Sequence, residues 1–166
     1  WIRNHSQAHI HADLIMGLPG ETIESFAKGL NQLYTMNPHE IQVGILKRLR
    51  GTPIIRHTID FDMRYNPLPP YNIVSNNLIT FAEMQRLSRF ARYWDLIVNS
   101  GRFSFTKTVL LTNAAFENFL VLSDWIFDTT EQTHKFSLNR IFSSIYIVFT
   151  TILSANKKKA KQKLLT

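Results

Sequence analysis

The chain has 166 residues, of which 45% are apolar and 19% charged, with a formal net charge of +7. That length suits one domain or a small domain with an appendage, and the balance is that of a globular protein rather than a disordered one. Cysteine is absent, which excludes disulfides, thiolate metal sites and a cysteine nucleophile within this sequence.

Trp1-Ile-Arg3 reads as the middle of a reading frame, and no charged segment followed by an apolar run opens the chain, so no signal peptide is expected. The first regular element is a strand over residues 9 to 16. Ile10, Ala12, Leu14 and Met16 fall on one face of it, and His9, His11, Asp13 and Ile15 on the other. Gly17-Leu-Pro-Gly-Glu-Thr22 then forms a sharp turn, in which Pro19 fixes its own φ and Gly20 reaches conformations closed to other residues. Thr22 is a good N-cap and Glu24 places negative charge in the first helical turn, where the helix dipole favours it. Phe26, Leu30, Leu33 and Tyr34 recur at helical spacing up to Met36, and Asn37-Pro38 stops the helix.

A second strand is predicted over residues 40 to 46, with Ile41, Val43 and Ile45 alternating against Gln42, Gly44 and Leu46. Strand, helix, strand in this order is a βαβ unit of a parallel sheet. Alone, such a unit leaves open edges and an uncovered face, so the rest of the sheet is expected upstream. Residues 51 to 77, with four of the six prolines, read as a long and mostly irregular connection. Beyond it the pattern is helical: one helix over residues 78 to 99, a second over 114 to 129 and a third over 138 to 153. Rich in Phe and Trp, they are expected to pack as a small bundle against the sheet. The longest apolar run, from Ile141 to Leu153, is too short to cross a bilayer as a helix. A cytoplasmic protein without membrane contact is expected. Five lysines (Lys157, Lys158, Lys159, Lys161 and Lys163) make a basic tail over residues 156 to 166, read as a solvated terminus.

A strand that ends in a glycine-rich turn at a helix N-terminus is where parallel α/β sheets bind ligands. The Asp13 carboxylate would accept hydrogen bonds from a ribose or an amine if its face lines a barrel interior; a plain βα turn with a solvated Asp13 fits the same residues. His5, His9 and His11 give thin support for a metal site, because only His9 and His11 point the same way on a strand. Arg86, Arg89 and Arg92 make a basic arc on one helix, open either to nucleic acid or to local acids such as Glu83 and Asp95, the second being favoured.

Asp13-Leu-Ile-Met-Gly-Leu-Pro-Gly-Glu-Thr22 resembles the late-barrel strand and turn of radical S-adenosylmethionine (radical-SAM) enzymes, especially those with a cobalamin-binding domain. Arg50-Gly-Thr-Pro53 resembles the next element of that barrel. Lys47-Arg-Leu-Arg-Gly-Thr-Pro-Ile54 and Met84-Gln-Arg-Leu-Ser-Arg-Phe-Ala-Arg-Tyr-Trp-Asp95 resemble the uncharacterised helical domain that follows the barrel in one group of these proteins. The resemblance implies an α/β fold: the last βαβ portion of a partial (β/α) barrel over residues 1–55, a linker over 56–77 and a mostly helical C-terminal domain over 78–155. It implies SAM contacts from Asp13, Ile15, Gly17, Pro19, Gly20, Leu46, Gly51 and Thr52. The parent would use S-adenosylmethionine, a four-iron four-sulfur cluster and cobalamin in radical transfer or methylation, on a small-molecule substrate rather than nucleic acid. The family holds its cluster on a Cys-x3-Cys-x2-Cys loop, and this sequence has no cysteine. None of these cofactors is therefore expected to bind stably to this chain alone, and its partner would be the missing N-terminal barrel half of the same parent. The competing expectation is a non-catalytic interaction module or gene remnant that binds protein or nucleic acid.

Overall fold

The structure is a computed structural model that describes residues 1–153; the lysine-rich tail lies outside the described residues. After a short helix α1 (Ile2–His5), strand β1 (His11–Met16), helix α2 (Ile23–Thr35) and strand β2 (Glu40–Ile45) form a βαβ unit. The two strands pair in parallel, with Asp13 opposite Gln42 and Ile15 opposite Gly44. The predicted α/β class is what the chain adopts: a small parallel sheet followed by a mostly helical region.

Alternation along the strands decides which face is covered. Met16, Ile41 and Val43 are buried, whereas His11, Asp13, Ile15 and Gln42 are exposed. Helix α2 starts where Thr22 caps it, and Ser25 completes the box: the Ser25 amide donates to Thr22 Oγ1 at 3.1 Å and the Thr22 amide donates to Ser25 Oγ at 3.0 Å. Its apolar stripe, Phe26, Ala27 and Leu30, joins the core.

Residues 51–77 are less irregular than their prolines suggest. They hold a 3₁₀ turn (Pro53–His57) and two short antiparallel strands, β3 (Arg64–Tyr65) and β4 (Ile73–Ser75). The chain beyond β2 is tied to this segment: the Ile73 amide donates to the Leu46 carbonyl at 2.8 Å and the Arg48 amide to the Tyr71 carbonyl at 3.0 Å.

Helix α3 (Phe81–Trp94) opens at a Thr80/Glu83 capping box and runs on as a π-helical segment (Asp95–Asn99). A short helix α4 (Ser104–Leu110), absent from the sequence expectation, precedes α5 (Ala115–Thr130) and α6 (Leu138–Ile147), and α6 continues as a π-helical segment (Val148–Leu153). One apolar cluster runs without a break from Met16 and Phe26 through Phe90, Trp94, Phe116 and Phe119 to Ile145. Phe105 stands outside this cluster, 86% exposed. No helix among the described residues is long and apolar enough to cross a membrane.

Trp94 fixes the helices to the sheet. Its indole Nε1–H donates to the Ile41 carbonyl at 2.8 Å, and Asn99 Nδ2 donates to the same oxygen at 3.1 Å. The edge of β2 that faces away from β1 is thus occupied by side chains at Ile41. The outer edge of β1 has no strand beside it among the described residues.

Candidate functional site

The uncovered sheet face carries a shallow groove of about 370 Å³, lined by Asp13, Ile15, Gln42, Gly44, Leu46 and Lys47 among others. Strand alternation puts Asp13 and Ile15 there, because the even-numbered side chains of β1 point to the core. Asp13 does not stand alone. His11 Nε2 lies 3.0 Å from Asp13 Oδ1 and 3.1 Å from Gln42 Oε1, and His11 Nδ1 lies 3.5 Å from Glu40 Oε2. The imidazole therefore bridges the two strands and holds the Asp13 carboxylate beside the groove. Two thirds of the Asp13 side chain remains exposed (67%), so it is free to accept a ligand donor.

The structure separates the predicted site residues into three places. Asp13, Ile15 and Leu46 share the groove on the sheet. Gly51 and Thr52 line a second groove of about 720 Å³, between the loop after β2 and the Pro67–Tyr71 segment. Gly17, Pro19 and Gly20 line neither of these two grooves. Gly17 is buried, with φ +87°, and a Cβ placed on it would meet Ile73 Cγ2 at 2.7 Å and Met84 Cε at 3.1 Å. The turn lies against β4 and α3, and only a residue without a side chain fits there. Gly20, also at positive φ, faces Phe61.

One residue of the turn carries a signal that spacing does not. Glu21 Oε2 is buried without a hydrogen-bond partner, and burial pushes the carboxyl above its ordinary range. In the sequence, Glu21 reads only as an acid near a helix start.

The remaining candidates find local partners. His5 stacks on Trp1, His9 stacks on His39 with ring centres 4.7 Å apart, and His11 turns to Asp13. No three metal-ligating side chains gather among the described residues. On α3, Arg86 Nε donates to both Asp124 oxygens at 3.0 Å, Arg89 sits 4.0 Å over the Phe127 ring, and Arg92 reaches Asp95 and the Thr133 carbonyl. Of the two acids expected beside the arc, Asp95 pairs with Arg92. Glu83 turns to Thr80 instead, and Asp124 on α5 takes its place beside Arg86.

A family model described as a protein of unknown function (DUF4080) matches residues 59–165, more than half of the chain, and the chain belongs to that family. No curated protein matches it.

Proposed function

We propose, from the resemblance of residues 13–22 and the site on the sheet, that this chain is part of a radical-SAM enzyme and contributes one wall of its SAM pocket. The observation that carries this reading is the bare face and free β1 edge of a two-stranded parallel sheet, with Asp13 held on that face. Parallel sheets are ordinarily covered on both faces, so the exposed side is suited to closure by further strands that add beside β1. The groove then becomes the inside of a barrel, near the carboxyl ends of its strands.

The donor set suits SAM in part. The Asp13 carboxylate, oriented by His11, binds an ammonium or ribose hydroxyl by charge-assisted hydrogen bonds. Ile15 and Leu46 offer apolar contact, and Gly44 leaves the backbone open to close approach. Gly51 and Thr52 would meet the ligand only from the loop beyond Lys47. The four-iron four-sulfur cluster does not suit this chain, which has no thiolate to ligate iron; no step through a cluster is assigned to it. Cobalamin belongs to the parent in this reading, and this chain's own contribution is to bind and orient.

The test is made on a parent protein that carries the cysteine loop upstream in the same frame. Asp13→Ala is expected to weaken SAM binding by about tenfold or more, the usual cost of a lost charge-assisted hydrogen bond. Unchanged affinity would remove Asp13 from the site, and a gene without the cysteine loop would remove the enzyme reading altogether.

A further inference from the structure

The second groove carries a concentration of positive charge that the SAM reading does not use. Lys47, Arg48 and Arg50 lie within four residues, and none of them takes part in the ion pairs found among the described residues. Lys47 stands at the end of the sheet groove, and Arg48 and Arg50 line the larger groove beside it.

The loop that presents these cations is held in shape. Arg48 is anchored through its amide to Tyr71, and its guanidinium carbon sits 4.9 Å from the centre of the Tyr65 ring. Thr52 closes the turn by donating from Oγ1 to the Leu49 carbonyl at 2.7 Å. Gly51, at φ +77°, has nothing within 4 Å of where a Cβ would stand, so the bend faces open space. Arg50 is exposed, and its side chain meets no acceptor among the described residues.

We propose that this groove binds the phosphate group of a small molecule. A guanidinium offers several N–H donors in a fixed plane, and two of them with a nearby ammonium match the oxygens of a phosphate. The rest of the wall is mixed, with Leu49, Pro53, Ile55, Pro67 and Tyr71 giving apolar contact. Apolar walls with a few placed polar groups describe a small-molecule site. A nucleic-acid track would instead spread its cations along the backbone path. The inference does not use Asp13, although Gly51 and Thr52 of the SAM reading line the same groove and Lys47 lines the sheet groove.

The experiment is calorimetric titration of the full 166-residue chain with inorganic pyrophosphate at constant ionic strength. Arg50→Gln is compared, together with a variant in which Lys157, Lys158, Lys159, Lys161 and Lys163 are all changed to Gln. Saturable binding that survives the tail variant and weakens by about tenfold or more in Arg50→Gln is expected. Far-UV circular dichroism of Arg50→Gln should match the parent, because the side chain is exposed. Absence of saturable binding, binding unchanged by Arg50→Gln, or binding lost with the tail lysines would each overturn the proposal. So would a short RNA that binds more tightly than pyrophosphate, with a steep salt slope that Arg50→Gln reduces. Failure here leaves the Asp13 test untouched, so the two readings fall separately.

Discussion

Gly17→Ala should be among the most damaging single-methyl additions in this chain, and the structure gives the size of the loss. Two effects combine at that position. A non-glycine residue in the left-handed region costs about 1–2 kcal/mol, and the backbone there has φ +87°. The added methyl would also stand 2.7 Å from Ile73 Cγ2, whose side chain is fully buried, and 3.1 Å from Met84 Cε. Forcing an extra methyl into a packed core costs about 1–3 kcal/mol. Loss of unfolded-chain freedom returns roughly 0.4–1 kcal/mol, leaving a net destabilisation of about 2–4 kcal/mol. In a domain of this size that lowers the melting temperature by about 5–15 °C. Gly51→Ala is the matched control: its φ is +77°, but no atom lies within 4 Å of the new methyl. It pays only the backbone cost, about 1 kcal/mol net. Thermal and urea melts followed by far-UV circular dichroism compare the two. Equal losses for both variants would refute the claim that Ile73 and Met84 press against the turn.

Two further variants read the helical region through pH. Burial pushes the Tyr93 hydroxyl up to about 12, and it donates to the Gln132 carbonyl. A raised folded pKa stabilises below the ordinary tyrosine range, near pH 10, and that stability is lost as pH rises through about 12. Tyr93→Phe should therefore cost about 1 kcal/mol at neutral pH and flatten the alkaline limb of a stability–pH curve; a limb as steep as the parent's would count against it. Hydrogen bonds from the Thr80 hydroxyl and amide hold the Glu83 carboxyl below its ordinary range. That contribution is present above the unfolded pKa and fades as pH falls through the folded one, so Glu83→Gln should make the acid limb shallower. An unchanged acid limb would place the proton linkage elsewhere.

Much of the βαβ unit was legible because each of its devices is local. Period-two alternation separated Met16 and Leu14 from Asp13 and His11, and Thr22 marked the helix start. What escaped was either too short for periodicity or set by distant partners. Strands β3 and β4, of two and three residues, cannot show an alternation. Helix α4 has seven residues and no side-chain cap, so nothing announces it. The first helix of the bundle was expected from residue 78, although Thr80-Phe-Ala-Glu83 is the S/T-x-x-E pattern of a capping box and fixes its start at Phe81. At the site, alternation placed Asp13 and Ile15 together. The division between them and Gly51 depends on how the loop after β2 pairs with Tyr71 and Ile73, 20 or more residues further along. At Gly17, the space a side chain would need is filled by Ile73 of β4 and Met84 of α3, a long-range packing constraint the sequence does not show.

The hydrogen bonds from Trp94 and Asn99 to the Ile41 carbonyl give the small sheet a direction of growth. A strand edge invites pairing wherever its carbonyls and amides are unclaimed, and on the β2 side the oxygen of Ile41 is already shared by two donors from the helical region. An incoming strand there would first have to displace a fully buried indole. Among the described residues, the β1 side presents no such obstacle. The helices thus act as a stop at one rim of the sheet, so that whatever completes it, whether another part of the same protein or a second chain, is steered to the other rim.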